Sequence, residues 1–301
     1  MVAITAKAGD ITAVSADAIV VNLFQGVTAP GGGTGAVDQA LDGAISALIS
    51  DGETTGKKGE ITLLHTFGKL PAKRVVALGL GKAEKLDLDI VREVSATAGR
   101  YLQRIGVKKA ATLAHGAGIG GLDPADAAQA IAEGTLLGLY SFKEYKAKNN
   151  DEPDKELEQL DVVEYDGRKV DALQAGITKG QVLSEGVAIA RDLVNHPANV
   201  VNPARMAEAA TDVAKRNGLK IEVLGQKEMA KLKMGSLLGV SQGSVNEPKL
   251  IVMQYAGDPG NPDNNIALVG KGITFDTGGI SIKPAASMWE MKGDMSGGAS
   301  V

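Results

Sequence analysis

The segment LVGKGITFDTGGISIKPAASMWEMKGDMSGGASV, residues 268–301, places lysine and aspartate side chains on turns that are rich in glycine. It overlaps the apolar run Ile266–Val269, whose composition predicts a β-strand. Lys271 and Asp276 follow this strand, and Asp294 comes at the end of the next turn region. Because ligand sites in open α/β sheets usually lie beyond the strand ends, this segment is the first candidate for a functional site.

Lys271, Asp276 and Asp294 are candidate metal ligands. Carboxylate oxygens suit Zn²⁺, Mn²⁺ and Mg²⁺. A lysine can bind a metal only as the neutral amine, so its pKa must fall far below the value of ~10.4 for a free side chain. Gly270 and Gly272 flank Lys271, which predicts a close backbone approach at this point. The spacing alone also fits a surface loop with ordinary charges, because short motifs have many false positives.

A family resemblance favours the metal site. The segments VGKGITFD, TGGISIKP and EMKGDM follow one another in the order and spacing of the leucyl (cytosol) aminopeptidase family, which they closely resemble. ARDLVNHPANVVNPARMAEAA (190–210) and MGSLLGVSQGSVNEPKLIVMQY (234–255) resemble the same family. The resemblance is continuous over residues 186–301 and weaker before them. Thr277 stands where the family commonly has serine, which is a mild departure.

The resemblance implies a metallo-exopeptidase that removes N-terminal residues from peptides. Asp276 would bridge two divalent cations, Mn²⁺ or Zn²⁺, and Lys271 and Asp294 would complete one of the two sites. Lys283 would be catalytic without binding metal, since its charge would polarise the scissile carbonyl. Met291 would line the pocket for the first substrate side chain. A metal-activated water would be the nucleophile. The resemblance also implies that the full-length protein is a homo-hexamer.

The first half of the chain predicts an α/β domain, since strand patterns alternate with helix patterns, as in a mainly parallel, covered sheet. Strands are predicted at Ala18–Leu23, Ile61–His65, Arg74–Leu78, Ala110–Ala114 and Leu160–Tyr165, and helices at Ala36–Ile49, Leu88–Ile105, Pro124–Leu139 and Val170–Val194. We expect residues 1–165 to form a macro-like N-terminal domain. Residues 166–185 would be a linker helix, and 186–301 the N-terminal part of the α/β catalytic domain.

The second half predicts a helix from Asn202-Pro203 to Asn217 and a short helix at Lys227–Lys233. Strands are predicted at Leu219–Leu224, Leu237–Val240 and Lys249–Tyr255, besides Ile266–Val269.

The glycine-rich loop APGGGTGA, residues 29–36, supports a second hypothesis. Together with the preceding ADAIVVN (16–22), it resembles a macro domain, the module that binds ADP-ribose. Free backbone N–H groups at the start of a helix can bind phosphate. The loop could therefore mark a phosphate-binding or ADP-ribose-binding module beside a vestigial peptidase region. A structural role remains the alternative, since glycine-rich loops are weak signals by themselves.

Composition excludes several other classes. The net charge of −4, from 36 acidic and 32 basic residues with no basic block, weighs against a nucleic-acid-binding protein. The chain has no cysteine, which excludes thiolate zinc sites and cysteine nucleophiles. Its three histidines lack the H-E-x-x-H spacing, so we expect structural or solvated roles for them. No signal-peptide pattern opens the chain and no apolar run reaches ~18 residues, so we expect a cytoplasmic protein without a membrane span.

The chain ends at Val301, before the family's second motif, Asn-Thr-Asp-Ala-Glu-Gly-Arg. In the family that motif supplies further metal ligands and a catalytic arginine. We therefore expect the 301-residue chain to be an incomplete fragment that is inactive when alone.

Overall fold

A computed structural model describes residues 2–147 and 155–301. The chain divides into two compact units, of which the first ends at Glu185 and the second begins at Gly186. The functional domain limits 1–165, 166–185 and 186–301 stay a prediction, because compactness alone does not assign roles to the parts.

The first unit is built on a six-stranded sheet with the order β1-β6-β5-β2-β4-β3. Its strands are β1 (Ala3–Ala8), β2 (Ala18–Phe24), β3 (Ile61–His65), β4 (Arg74–Gly81), β5 (Lys109–Leu113) and β6 (Gln159–Glu164). All neighbours run parallel except β3, which pairs antiparallel with β4. The expected mainly parallel sheet and the α/β fold class are confirmed.

Among the described residues, five α-helices accompany this sheet: α1 (Gly32–Ala40), α2 (Ala44–Ser50), α3 (Leu88–Arg104), α4 (Pro124–Leu139) and α5 (Val170–Asn195). Strand β2 shows why both sheet faces are covered. Its alternate residues Ala18 and Val20 join a core with α3, α4 and α5, while Ile19 and Val21 join a second core with α1 and α2. Alternation with period two sends side chains to opposite faces, so a strand that is apolar throughout needs cover on both sides.

Helix α5 contributes its first half to the first unit. A Cβ atom on Gly176 would lie 1.9 Å from the carbonyl oxygen of Ala125 in α4, so only glycine permits this backbone approach. Leu173 and Ile177 of the same helix are fully buried in the core of the first unit. The predicted helix Val170–Val194 is confirmed, with one more residue at its end.

The predicted helix Ala36–Ile49 is wrong as one element, because it is interrupted between α1 and α2. Asp42 and Gly43 have φ angles of 55° and 80°, which a continuous right-handed helix cannot contain. The buried carboxylate of Asp38 accepts hydrogen bonds from the backbone N–H groups of Ile45 (2.7 Å) and Ser46 (3.0 Å). These are unpaired donors of the first turn of α2, so the side chain stabilises the break.

The second unit has less regular structure. It contains α6 (Pro203–Asn217), β7 (Lys220–Leu224), α7 (Gln226–Lys231), α8 (Gly235–Ser241), β8 (Leu250–Gln254), a 3₁₀ helix (Met288–Met295) and α9 (Ser296–Ser300). Strands β7 and β8 form an antiparallel pair. A small core of Val201, Met206 and Met295 lies against Leu193 and Ile251.

Two strand predictions in the second unit are wrong. Residues Leu237–Val240 lie within α8, because a short apolar run fits a helix as well as a strand. Residues Ile266–Val269 form no strand, and the side chains of Ile266 and Val269 are 87% and 92% exposed. In the described part of the chain no strand pairs with this segment, and apolar composition without a hydrogen-bonded neighbour does not make a strand.

His115, after β5, is a buried structural histidine, as expected. Its Nδ1 lies 3.0 Å from Asn22 Nδ2, and its Nε2 lies 3.1 Å from Thr112 Oγ1. The amide nitrogen of Asn22 can only donate, so Nδ1 accepts and the proton resides on Nε2. The ring is 1% exposed, and this burial lowers the pKa of His115 to about 4.

Acid is therefore expected to destabilise the first unit through His115. The unfolded chain takes up a proton near pH 6.5, whereas the folded chain does so only near pH 4. The contribution of His115 to the free energy of unfolding is therefore complete above pH 6.5. It decreases as the pH falls from 6.5 to about 4, and below pH 4 it decreases no further. The loss amounts to about 3 kcal/mol. Urea unfolding at pH 7, 5.5 and 4 measures it, with His115→Gln as the control that cannot titrate. Equal pH dependence in both proteins would contradict the assignment.

Candidate metal centre

Local backbone geometry presents Asp276 on a tight turn. The N–H of Gly278 donates to Asp276 Oδ1 (2.9 Å), and the N–H of Lys283 donates to the carbonyl of Thr277 (2.9 Å). Gly278 and its neighbour have φ angles of 94° and 78°, a region that favours glycine. A sharp turn is thus present at the glycine pair that follows Thr277, and it brings Lys283 back beside Asp276.

The structure brings all four charged candidates together. Lys271 Nζ lies 2.9 Å from Asp294 Oδ2 and 3.7 Å from Asp276 Oδ2. Lys283 Nζ lies 3.5 Å from the same Asp276 oxygen. It also donates to the thioether sulfur of Met291 at 2.9 Å. Asp294 and Met291 both lie in the 3₁₀ helix, so residues far apart in sequence meet in one cluster.

Charges within the cluster shift two of its pKa values. The short polar contact with Asp294 is the largest cause of a raised pKa at Lys271, and Asp276 adds to it. The pKa of Asp276 is lowered, first by the hydrogen bond from Gly278 N–H and then by the charge of Lys283. In this arrangement Lys271 is a cation that lies close to both carboxylates. A ligand role for Lys271 requires that a metal cation takes the place of its proton.

The donor set fits one divalent cation. Asp294 Oδ2 is shielded from solvent and has no hydrogen-bond partner among the described residues, although Lys271 Nζ lies 2.9 Å from it. Two carboxylates and a lysine amine converge here, and hard divalent cations favour oxygen ligands. No group of three or more His, Cys, Asp or Glu residues forms a metal site within 2–147 and 155–301. The described donors around Lys271 are therefore one amine and two carboxylates, which fall short of the two cations that the resemblance implies.

Two glycines contact Lys271 in a way that sequence analysis missed. The N–H of Gly298 in α9 donates to the carbonyl of Lys271 at 2.7 Å. A Cβ atom on Gly297 would lie 3.0 Å from the backbone nitrogen of Lys271. The glycine pair in SGGAS was visible in the sequence, but nothing in the sequence says which backbone packs against it.

The glycine-rich loop of the first unit is used for packing. Gly32–Gly35 lie in the first turn of α1 rather than in a free loop. The hydroxyl of Thr34 donates to the carbonyl of Asn22 at 2.8 Å. A Cβ atom on Gly33 would lie 2.6 Å from the side chain of Leu113, and one on Gly35 would lie 2.7 Å from the carbonyl oxygen of Pro30. Close contacts between α1 and its neighbours thus account for these two glycines.

None of the helices in the described ranges is both long and apolar enough to span a bilayer.

Two family models match the chain. The N-terminal domain of the cytosol aminopeptidase family matches residues 20–149, and the catalytic domain of the same family matches residues 188–301. A probable cytosol aminopeptidase of Alkaliphilus metalliredigens is 40% identical, over 95% of this chain and 57% of its own length. One from Alkaliphilus oremlandii is also 40% identical, over 97% and 58%. The chain thus spans little more than half the length of these relatives.

Solved structures show the same likeness. The bottromycin maturation enzyme BotP in complex with Mn is 28% identical, with a TM-score of 0.74 over 94% of this chain and 54% of that one. A mutant tomato leucine aminopeptidase matches with a TM-score of 0.77 over 99% of this chain and 57% of that one, at 24% identity. The second likeness concerns the fold alone.

Proposed function

Because the chain belongs to the cytosol aminopeptidase family, we propose that it forms part of a metal-dependent leucyl aminopeptidase that hydrolyses peptides at their N-terminus. The observation that carries the proposal is the convergence of Lys271, Asp276 and Asp294 beside Lys283. Such a set of carboxylates, a ligand-capable amine and a separate cation is more specific than a pair of acidic residues.

Asp276, Asp294 and Lys271 would hold the cation, Mn²⁺ or Zn²⁺. When bound, a divalent cation supplies Lewis acidity and lowers the pKa of water toward neutrality. Lys283 lies beside Asp276 and would present its ammonium group as a donor to the oxygen of the scissile carbonyl, where negative charge develops. Met291 contacts Lys283 Nζ and lines the place of the first substrate side chain.

The whole protein would take peptides with a free N-terminus as substrates and hold two divalent cations per active site. The second cation would share Asp276, with its other ligands drawn from residues beyond those described. We also propose a cytoplasmic homo-hexamer, in keeping with the relatives' name and with the resemblance stated above. Nucleic acid and membranes play no part in the proposed function.

The proposal is tested by peptide hydrolysis. The protein to assay carries this chain within a catalytic domain of the relatives' length. It is expected to release leucine from a leucine amide in the presence of Mn²⁺ or Zn²⁺, and to leave the N-acetylated amide intact. A chelator should abolish the activity, and added metal should restore it. Hydrolysis of both substrates at equal rates, or full activity in chelator, would contradict a metal-dependent exopeptidase.

A further inference from the structure

The backbone of Lys271 lies directly against the first turn of α9. Besides the hydrogen bond from Gly298 N–H to the Lys271 carbonyl, Gly270 contacts the same turn. A Cβ atom on Gly270 would lie 2.3 Å from the carbonyl oxygen of Gly297 and 2.7 Å from Gly298 Cα. Contacts below 3.0 Å essentially never occur for real Cβ atoms, so this approach exists only because residue 270 has no side chain.

The contact joins the two parts of the candidate metal centre. Helix α9 begins at Ser296, and Asp294 precedes it by two residues. Lys271 is the next residue after Gly270. The glycine contact therefore lies one residue from the first candidate ligand and three from the second, and it fixes their backbones relative to each other. Side-chain packing between the two segments does not have to supply this alignment.

We propose that Gly270 and Gly297 are positioning residues. Because they have no side chains, the two backbones approach closely, and this approach holds Lys271 beside Asp294 and so sets the geometry of the metal centre. The role toward the metal rests on the proposed function, whereas the backbone contact does not. Neither glycine touches metal or substrate in this role. Ligand positions depend on their supporting contacts, and loss of such a contact typically lowers metal affinity by about 10–100-fold.

Gly272, on the other side of Lys271, provides a matched control. A Cβ atom there would meet nothing within 4 Å, and Gly272 has no positive φ. Sequence analysis treated the two flanking glycines alike, but the structure requires glycine only at residue 270. At residue 270 the obstructing atom is a backbone oxygen, so the clash is relieved by moving the backbone that carries Lys271 rather than by rotating a side chain.

The experiment compares Gly270→Ala with Gly272→Ala in the 301-residue chain. Mn²⁺ is titrated into each protein and the free ion is followed by electron paramagnetic resonance. Gly270→Ala is expected to weaken Mn²⁺ binding by at least about tenfold, while Gly272→Ala stays close to the unsubstituted chain. Hydrogen exchange of the Gly298 amide is measured without metal. Its protection should fall in Gly270→Ala and persist in Gly272→Ala.

Each outcome decides one claim. Equal Mn²⁺ affinity and equal Gly298 protection in the two variants would overturn the positioning role. If the unsubstituted chain binds no Mn²⁺ while Gly298 protection is lost only in Gly270→Ala, the positioning of the backbone is supported and the metal role fails. Should Gly270→Ala unfold, as judged by Trp289 fluorescence, Gly297→Ala is the milder test, since its Cβ would lie 3.0 Å from the backbone nitrogen of Lys271. A folded Gly297→Ala chain that matches Gly272→Ala in both measurements would also overturn the proposal.

Discussion

Lys283→Ala is expected to lower turnover by about 10²–10³-fold while leaving the bound metal in place. The assay uses the protein that carries this chain within a complete catalytic domain. The ammonium of Lys283 lies 3.5 Å from Asp276 Oδ2 and makes its other close contact with the sulfur of Met291. Because a thioether is a weak acceptor, this contact leaves the donors of Lys283 largely free for a substrate oxygen. Loss of one preorganised donor raises the barrier without removing a carboxylate ligand.

The expected result is a lower kcat with an unchanged metal content. Metal content is measured on the purified protein and kcat on a leucine amide. Lys249→Ala is the matched control, because Lys249 lies in the same unit and pairs with Glu247 (2.6 Å) outside the cluster. The control should keep nearly full activity and metal. If Lys283→Ala loses metal in proportion to activity, Lys283 is a ligand or a structural residue and the catalytic role is wrong.

The elements that sequence analysis located best have local end signals. Helix α4 begins at Pro124, and the Asp123 carboxylate accepts from Ala125 N–H and Asp126 N–H, as the cap pattern predicts. Helix α6 starts after Asn202 in the same way, and Gly218 ends it in a left-handed conformation. Such signals act within a few residues, so the sequence shows them directly.

Long-range partners account for what sequence analysis missed. Strand β1 was not predicted, because most of its residues are exposed and the pattern is not that of a buried strand. It exists because it pairs with β6, where Ala3 lies opposite Gln159. The opposite error occurred at Ile266–Val269, where strand composition lacks a pairing partner among the described residues. Local composition therefore gave the wrong secondary structure for both segments, because strand formation depends on a pairing partner.

At the candidate site, too, local features could be predicted from the sequence and long-range contacts could not. The resemblance indicated the residue types and their roles, and the glycine-rich sequence indicated turns around Asp276. The 2.9 Å contact between Lys271 and Asp294 could not be derived from spacing, because it depends on how α9 packs against Gly270. The raised pKa of Lys271 was also not foreseen. Without a cation the carboxylates favour the protonated amine, whereas sequence analysis considered the pKa of Lys271 only for its metal-bound form.

Asp276→Asn is expected to remove Mn²⁺ binding from the 301-residue chain. Both amide and carboxylate offer Oδ1 to the N–H of Gly278, so the turn can persist while the negative charge is lost. With few protein ligands available, loss of a direct carboxylate should weaken binding by more than the roughly 10–100-fold typical of a supporting residue. Asp294→Asn should act alike, because its buried Oδ2 is the oxygen that lacks a hydrogen-bond partner.

Calorimetric titration with Mn²⁺ measures both affinity and stoichiometry. Asp258→Asn is the matched control, because Asp258 is exposed and its carboxylate accepts a hydrogen bond from the nearby Asn261 side chain (2.8 Å). The control and the unsubstituted chain should each bind one cation, since the described donors form one set around Lys271, Asp276 and Asp294. Equal affinity in Asp276→Asn and Asp258→Asn would show that the cluster is an ordinary ion-pair network. Two cations bound with similar affinity would show instead that the second cation needs no ligands beyond those described.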